Sequence, residues 1–210
     1  MAAANRLSSQ GYKDLLATEG NKLYVYDDKT AKPISSYEAA VGYPTIGLGL
    51  LIDSAEKRER FRPYLNGVMA PAAVIESANR EFIAKFEKAL NAQLDNVQLT
   101  QAMFDALFSL GWNTGTSSRW VKKVIGHAAA KDYVAAAAAV ASGPVTSKGQ
   151  VLAGLVRRRA AEAARFMEDG IPGGASTLLK NPTTLIYASL AVSGLIIMGM
   201  VFGARRKRRR

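Results

Sequence analysis

Apolar residues first recur at helical spacing, with Tyr12, Leu15 and Leu16 on one face of residues 11–18. The period then changes. Leu23 and Val25, flanked by Tyr24 and Tyr26, alternate as a strand that ends at Asp27 and Asp28. Residues 29–41, with Pro33, Ser35 and Ser36, read as a loop, and residues 43–51 read as a second strand entered through Pro44 and spaced by Gly47 and Gly49. The two strands predict a small antiparallel sheet that carries Asp28 and Thr45 near one another.

Helical spacing returns over residues 53–96. Ser54 is placed to cap a helix beginning near Ala55, and Pro71 opens another that runs through Phe82, Ile83, Phe86 and Leu90. Over residues 98–115 the apolar face is Met103, Phe104, Leu107 and Phe108, broken by Gly111 and ended by Asn113, Thr114 and Gly115. A short helix with Val121, Val124 and Ile125 follows Ser117 and Ser118. Residues 128–141 then form an Ala-rich helix, and residues 149–166 an amphipathic one with a basic face.

The two ends differ in kind. Residues 1–10 lack the apolar core of an export signal and read as a frayed terminus. Residues 171–182, with Pro172, Gly173, Gly174, Ser176 and Pro182, read as a short linker. Residues 183–204 are 22 positions without a charge, which at about 1.5 Å per residue span the roughly 30 Å hydrocarbon core of a bilayer. Gly199 and Gly203 stand in a GxxxG pair, which leaves helix–helix association in the membrane open, although small residues are common in such helices in any case. The domain boundaries read from these patterns are 1–10, 11–170, 171–182, 183–204 and 205–210.

Composition changes this picture in three respects. The formal charge of +11 invites a nucleic-acid reading, yet six cations form the tail Arg205, Arg206, Lys207, Arg208, Arg209 and Arg210. Without them the body carries about +5, which suits an anionic polymer such as bacterial wall as well as nucleic acid. The tail itself suits anionic lipid or nucleic acid. With no cysteine and a single histidine, His127, Cys-ligated and His-rich metal sites are excluded.

The candidate chemistry lies in residues 19–49. Glu19 closes the first helix ahead of Gly20, a natural C-cap, and its apolar neighbours predict partial desolvation that raises its pKa toward a useful acid. Asp28 ends the first strand and Thr45 enters the second. Two carboxylates from separate elements with a hydroxyl beside them are the equipment for acid/base hydrolysis of a glycosidic bond.

These residues resemble the active-site signature of the phage-type lysozymes. Glu19-Gly20, Tyr26-Asp27-Asp28 and Gly42-Tyr43-Pro44-Thr45-Ile46-Gly47-Leu48-Gly49 match that family's Glu, its Asp after eight intervening residues, and its Thr in a T-I-G-x-G strand. The spacing selects Asp28 over Asp27. Two departures stand out: sixteen residues separate Asp28 from Thr45 where the family has a tight turn, and Leu50 replaces a common His. Further along, Trp112-Asn113-Thr114-Gly115 resembles the family's F-N-x-G segment, which implies substrate contacts at Asn113 and Gly115. Residues 149–166 resemble its closing G-L-x-x-R-R-x-x-E helix, read as Gly154, Leu155, Arg157, Arg158 and Glu162, with Arg157 or Arg158 expected to support Glu19.

The resemblance implies an α+β, mostly helical chain: a lysozyme-like two-lobed domain with a small antiparallel sheet, followed here by one transmembrane helix. It implies a glycoside hydrolase acting on peptidoglycan, with Glu19 as acid, Asp28 as carboxylate and Thr45 holding the attacking water, and this glycoside-hydrolase reading implies no cofactor. Alternatives are a lytic transglycosylase, which needs the acid but not Asp28 and Thr45, and a wall-binding membrane protein whose site has decayed. The cationic tail favours a cytoplasmic C-terminus, whereas tail anchoring leaves the domain itself on that side. A place in the membrane of a lipid-containing phage satisfies the tail in a third way, and a virion or lysis role stays open.

Overall fold

The computed structural model describes residues 4–147 and 149–173. These divide into two compact units, one formed by Ser9–Lys88 and the other by the described parts of Met1–Ser8 and Ala89–Arg210. The linker beyond residue 173, the apolar stretch 183–204 and the basic tail lie outside the described residues. Among the described residues, no helix is long and apolar enough to cross a membrane.

The Ser9–Lys88 unit begins with helix α1 (Ser9–Glu19) and strand β1 (Lys22–Asp27). Residues 43–51, expected as one strand, are two: β2 (Pro44–Gly47) and β3 (Leu50–Leu51). Gly47 at φ +66° and Gly49 at φ +119° take backbone conformations that fold the chain back on itself, so Ile46 pairs with Leu50. The sheet is antiparallel in the order β1, β2, β3. Helix α2 (Ala55–Phe61) starts where Ser54 accepts the Lys57 N–H, a cap that contributes about 1 kcal/mol. Helix α3 (Ala72–Leu94) follows Pro71, whose carbonyl accepts from Val74 and Ile75. Val25, Ile46, Leu50, Ile52, Phe61 and Ile75 are buried together between sheet and helices. Each such side chain contributes roughly 1.5–3 kcal/mol by leaving water.

The second unit takes the end of α3 and adds α4 (Gln101–Thr114), α5 (Arg119–Ala129), α6 (Tyr133–Ala141) and α7 (Ala153–Phe166). Residues 102–108 of α4 are buried without interruption, as for a helix surrounded by others. Gly111 does not break α4; it is buried within it, and a Cβ there would meet Leu90 Cδ2 at 3.5 Å. The Ala-rich segment starts later than expected, because Lys131 at φ +59° ends one helix path and Asp132 caps the next through the Ala135 N–H. The last helix starts at Ala153, after a short hairpin of β4 (Thr146–Ser147) and β5 (Gln150–Val151). Residues 5–8, expected as part of a frayed terminus, are tied down. Leu7 is buried, Asn5 bonds Asn91, and Ser8 donates through N–H and Oγ to the buried Asp105.

Candidate active site

Glu19 is the last residue of α1, and the chain turns there because Gly20, at φ +76°, returns its N–H to the Leu16 carbonyl at 3.1 Å. Glu19 is exposed, so the desolvated setting expected from its apolar helix neighbours is not what the structure gives. Leu15, on the same helix, is buried and fixes α1 to its unit.

The two adjacent aspartates part company at the end of β1. Asp27 lies in the inward phase of the strand with Val25 and is 2% exposed. Its carboxylate accepts the N–H groups of Lys29 and Val41 at 2.8 Å each and of Gly42 at 3.1 Å. Burial pushes its pKa up, but the backbone N–H groups of Val41, Lys29, Gly42 and Thr30 outweigh burial and hold the carboxyl below the ordinary aspartate value. Asp27 is therefore the clasp of the loop. Asp28 is exposed; its N–H donates to the Tyr43 carbonyl at 3.1 Å, and its Oδ1 accepts the Tyr43 N–H at 2.8 Å.

The register of β1 on β2 brings Asp28 and Thr45 into one corner. Tyr26 faces Thr45 and Asp27 faces Pro44, so Asp28 meets Tyr43, two residues before Thr45. Thr45 is buried, and its Oγ1 donates to the same Tyr43 carbonyl at 2.9 Å. Burial pushes the Tyr26 phenol up and the nearby Asp28 charge pushes it further. Gly42 has to be a glycine here: a Cβ would lie 2.1 Å from Asp28 Oδ1 and 2.9 Å from Asp27 Oδ1.

The sixteen residues between Asp28 and Thr45 do not hold them apart, because the connection is folded back onto its own unit. Pro33 bridges to Tyr26, Asp27 N–H donates to the Lys32 carbonyl, and Ile34 is buried in the core. Tyr37 donates its hydroxyl to the Arg58 carbonyl at 2.6 Å, with the Arg58 guanidinium 5.4 Å from the ring centre. The loop leaves and returns at a neck that Asp27 ties.

Asn79, missed in the sequence reading, joins the pieces. It is fully buried on α3. Its Nδ2 donates to Tyr12 Oη on α1 at 3.0 Å and to Asn21 Oδ1, two residues past Glu19, at 3.2 Å. Its Oδ1 accepts the Leu48 N–H at 2.8 Å, in the turn that follows Thr45. A Cβ on Gly47 would stand 2.1 Å from that same Oδ1. One amide thus ties the helix that ends at Glu19 to the hairpin that bears Thr45. Its signal in the sequence was a polar residue midway between Ile75 and Ile83 on an apolar helix stripe.

The remaining candidates belong to the helical unit. Asn113 is exposed and accepts Arg159 Nη2 at 2.9 Å; Gly115, at φ +90°, caps α4 by donating to the Gly111 carbonyl. Arg157 is exposed. Arg158 donates Nε to Glu162 Oε1 at 3.0 Å and Nη2 to Ser109, whose hydroxyl also reaches Glu162 at 2.6 Å. Arg159, which the sequence reading passed over, is the buried arginine of the three, with Nη1 2.8 Å from Glu162 Oε2. The spacing G-L-x-x-R-R-x-x-E, counted from Gly154, lands its arginine pair on Arg158 and Arg159 rather than on Arg157 and Arg158. Those two sit four and three residues before Glu162, on its face of the helix.

A family model described as phage lysozyme matches residues 18–162. No curated protein matches the chain significantly. Among solved structures, a point mutant of P22 lysozyme is 28% identical with a TM-score of 0.60, covering 77% of this chain and 98% of its own. An endolysin from Escherichia coli O157:H7 phage FAHEc1 is 26% identical with a TM-score of 0.51, covering 82% and 99%. The muramidase domain of SpmX from Asticaccaulis excentricus, at 24% identity, TM-score 0.56 and coverage of 78% and 98%, shares the fold.

Proposed function

The chain belongs to the phage lysozyme family, and from that premise we propose that it hydrolyses the β-1,4 bond between N-acetylmuramic acid and N-acetylglucosamine in bacterial peptidoglycan. Glu19, protonated, gives its proton to the leaving glycosidic oxygen while Asp28 accepts one from a water attacking the anomeric carbon on the opposite face. Thr45 commits its hydroxyl proton to the Tyr43 carbonyl. With that proton committed, its oxygen is left to act toward a water as an acceptor. A water donating one hydrogen to Thr45 and the other to Asp28 has its lone pair left for the sugar, and the anomeric configuration inverts.

The observation that carries this reading is the shared anchor on Tyr43: Asp28 Oδ1 holds its N–H at 2.8 Å and Thr45 Oγ1 its carbonyl at 2.9 Å. The neighbouring acid is already consumed by the loop neck, so Asp28 is the accessible carboxylate of the pair. Digestion of purified peptidoglycan by the full chain is expected to release reducing ends, with Glu19→Gln and Asp28→Asn each slowing the reaction by at least about a hundredfold. Anhydro-sugar ends would establish a lytic transglycosylase instead. Wild type as inert as Glu19→Gln would leave a wall-binding protein.

We also propose that residues 183–204 confine the enzyme to a bilayer, the membrane of a lipid-containing virion or the host inner membrane, with the tail 205–210 on anionic lipid. Support comes from the uncharged length of that stretch and the cations that close it. The full chain is expected to sediment with membranes in high salt and a chain cut at residue 182 to stay soluble; recovery of both in the supernatant would sink the idea. Detection in purified particles separates a virion enzyme from a lysis enzyme.

A further inference from the structure

Tyr43 stands out on the surface of the Ser9–Lys88 unit. Of the large hydrophobic residues exposed among the described residues, it is the aromatic one, with 63% of its surface open to solvent. Single exposed apolar residues are ordinary, but this ring is not loosely held. Its N–H is bonded to Asp28 Oδ1, and its carbonyl accepts from both Asp28 N–H and Thr45 Oγ1. Pro44 follows it, which restricts its backbone to extended conformations. Gly42 precedes it in a space too tight for any side chain. The ring is thus mounted on the one residue whose backbone both proposed catalytic side chains grip, while the ring itself contributes nothing to those grips.

We infer that Tyr43 is a sugar-positioning residue, its ring face packing against the apolar C–H face of an N-acetylhexosamine unit next to the bond at Asp28. A pyranose presents a ring of C–H groups on one face, and an aromatic side chain covers such a face at little entropic cost because only two torsions need fixing. The pinned backbone removes most of what remains. Ligand position is then coupled to the catalytic groups through a single residue: a sugar seated on the ring is registered against the carboxylate that holds the ring's own N–H. This inference rests on the lysozyme reading for the identity of the sugar, but its contact is one of binding and precedes any bond cleavage.

The test uses the full chain and a soluble N-acetylglucosamine oligomer as probe. Titration of the oligomer into wild type, Tyr43→Phe, Tyr43→Trp and Tyr43→Ala is expected to show binding kept by the two aromatic variants and weakened about tenfold in Tyr43→Ala. On soluble peptidoglycan fragments KM should rise by the same factor in Tyr43→Ala, with kcat within about twofold, the signature of lost uniform binding. The melting temperature should not change, since among the described residues no hydrogen bond uses the ring. Equal oligomer affinity in Tyr43→Ala and wild type would overturn the inference, as would loss of affinity in Tyr43→Phe equal to that in Tyr43→Ala, or a wild type that does not bind the oligomer. A wild type that binds the oligomer through Tyr43 but leaves peptidoglycan intact would overturn hydrolysis and uphold the platform.

Discussion

Asp27 and Glu162 are both buried carboxylates, one in each unit, and their surroundings act on them in opposite directions. At Asp27 burial raises the pKa and four neutral backbone N–H groups bring it below the ordinary value. At Glu162 burial raises the pKa too, and there Arg159, Ser109 and Arg158 oppose it without reversing it. Burial is the largest influence at both carboxylates and is deeper at Glu162, and hydrogen-bond geometry adds to the difference. The amides point at the Asp27 oxygens, whereas Arg159 Nε and Nη1 and Glu162 Oε2 have no hydrogen bond among the described residues although Nη1 and Oε2 are 2.8 Å apart. A charge pair out of water recovers its desolvation only with good hydrogen-bond geometry, while donors from a folded loop neck arrive already aligned.

The comparison breaks most visibly at Arg159. Arg159→Ala leaves Glu162 buried with only Arg158 as a cation, and should cost about 3–5 kcal/mol in urea unfolding. Replacing Arg159 and Glu162 together by Met and Leu should cost far less, since an imperfect buried ion pair adds little net stability. A double variant as unstable as the single one would show that the pair is worth more than its geometry suggests. Next in size is Gly42→Ala. A methyl group 2.1 Å from Asp28 Oδ1 and 2.9 Å from Asp27 Oδ1 forces the neck open. We expect a loss of about 1–3 kcal/mol and a fall in peptidoglycan hydrolysis larger than the fall in stability explains. Full activity in Gly42→Ala would uncouple the clasp from the corner where Asp28 and Thr45 meet.

These two regions also mark how far the sequence could be read. The elements that carry strong local signals were legible: α2 from Ser54, α3 from Pro71, and a strand ended by the aspartate pair. The spacing of Glu19 and Asp28 singled out the exposed aspartate, whereas the burial of Asp27, two residues after Val25 on the same face of the strand, was not read. Other features depend on contacts distant in sequence. Asn79 reaches residues 67 and 58 positions away, and no periodicity in α3 says which groups an inward amide will meet. The insertion looked like a gap between Asp28 and Thr45 because a loop's length does not reveal that its neck is closed by one carboxylate. Arg159 lay within reach, since the i, i+3 and i, i+4 positions before Glu162 are 159 and 158, and its burial follows from that face.

The smallest effects test the comparison through its sign. Asp27 has a folded pKa below its unfolded one, so its contribution to stability is fully present above the unfolded value, about 3.9, and is lost as pH falls through the folded value. Glu162 has a folded pKa above its unfolded one, so its contribution is fully present below about 4.3 and is lost as pH rises through the folded value. The two slopes oppose each other in the wild type. Urea midpoints measured across the acid range should therefore respond in opposite senses: Asp27→Asn should flatten the decline toward low pH, and Glu162→Gln should flatten the decline above the ordinary glutamate pKa. Because Glu162 Oε1 accepts from both Ser109 and Arg158, Glu162→Gln keeps part of that bonding and reports the charge more than the contact. If both variants shifted the profile in the same direction, aligned amides would not be what separates the two carboxylates, and the number of nearby charges would have to be.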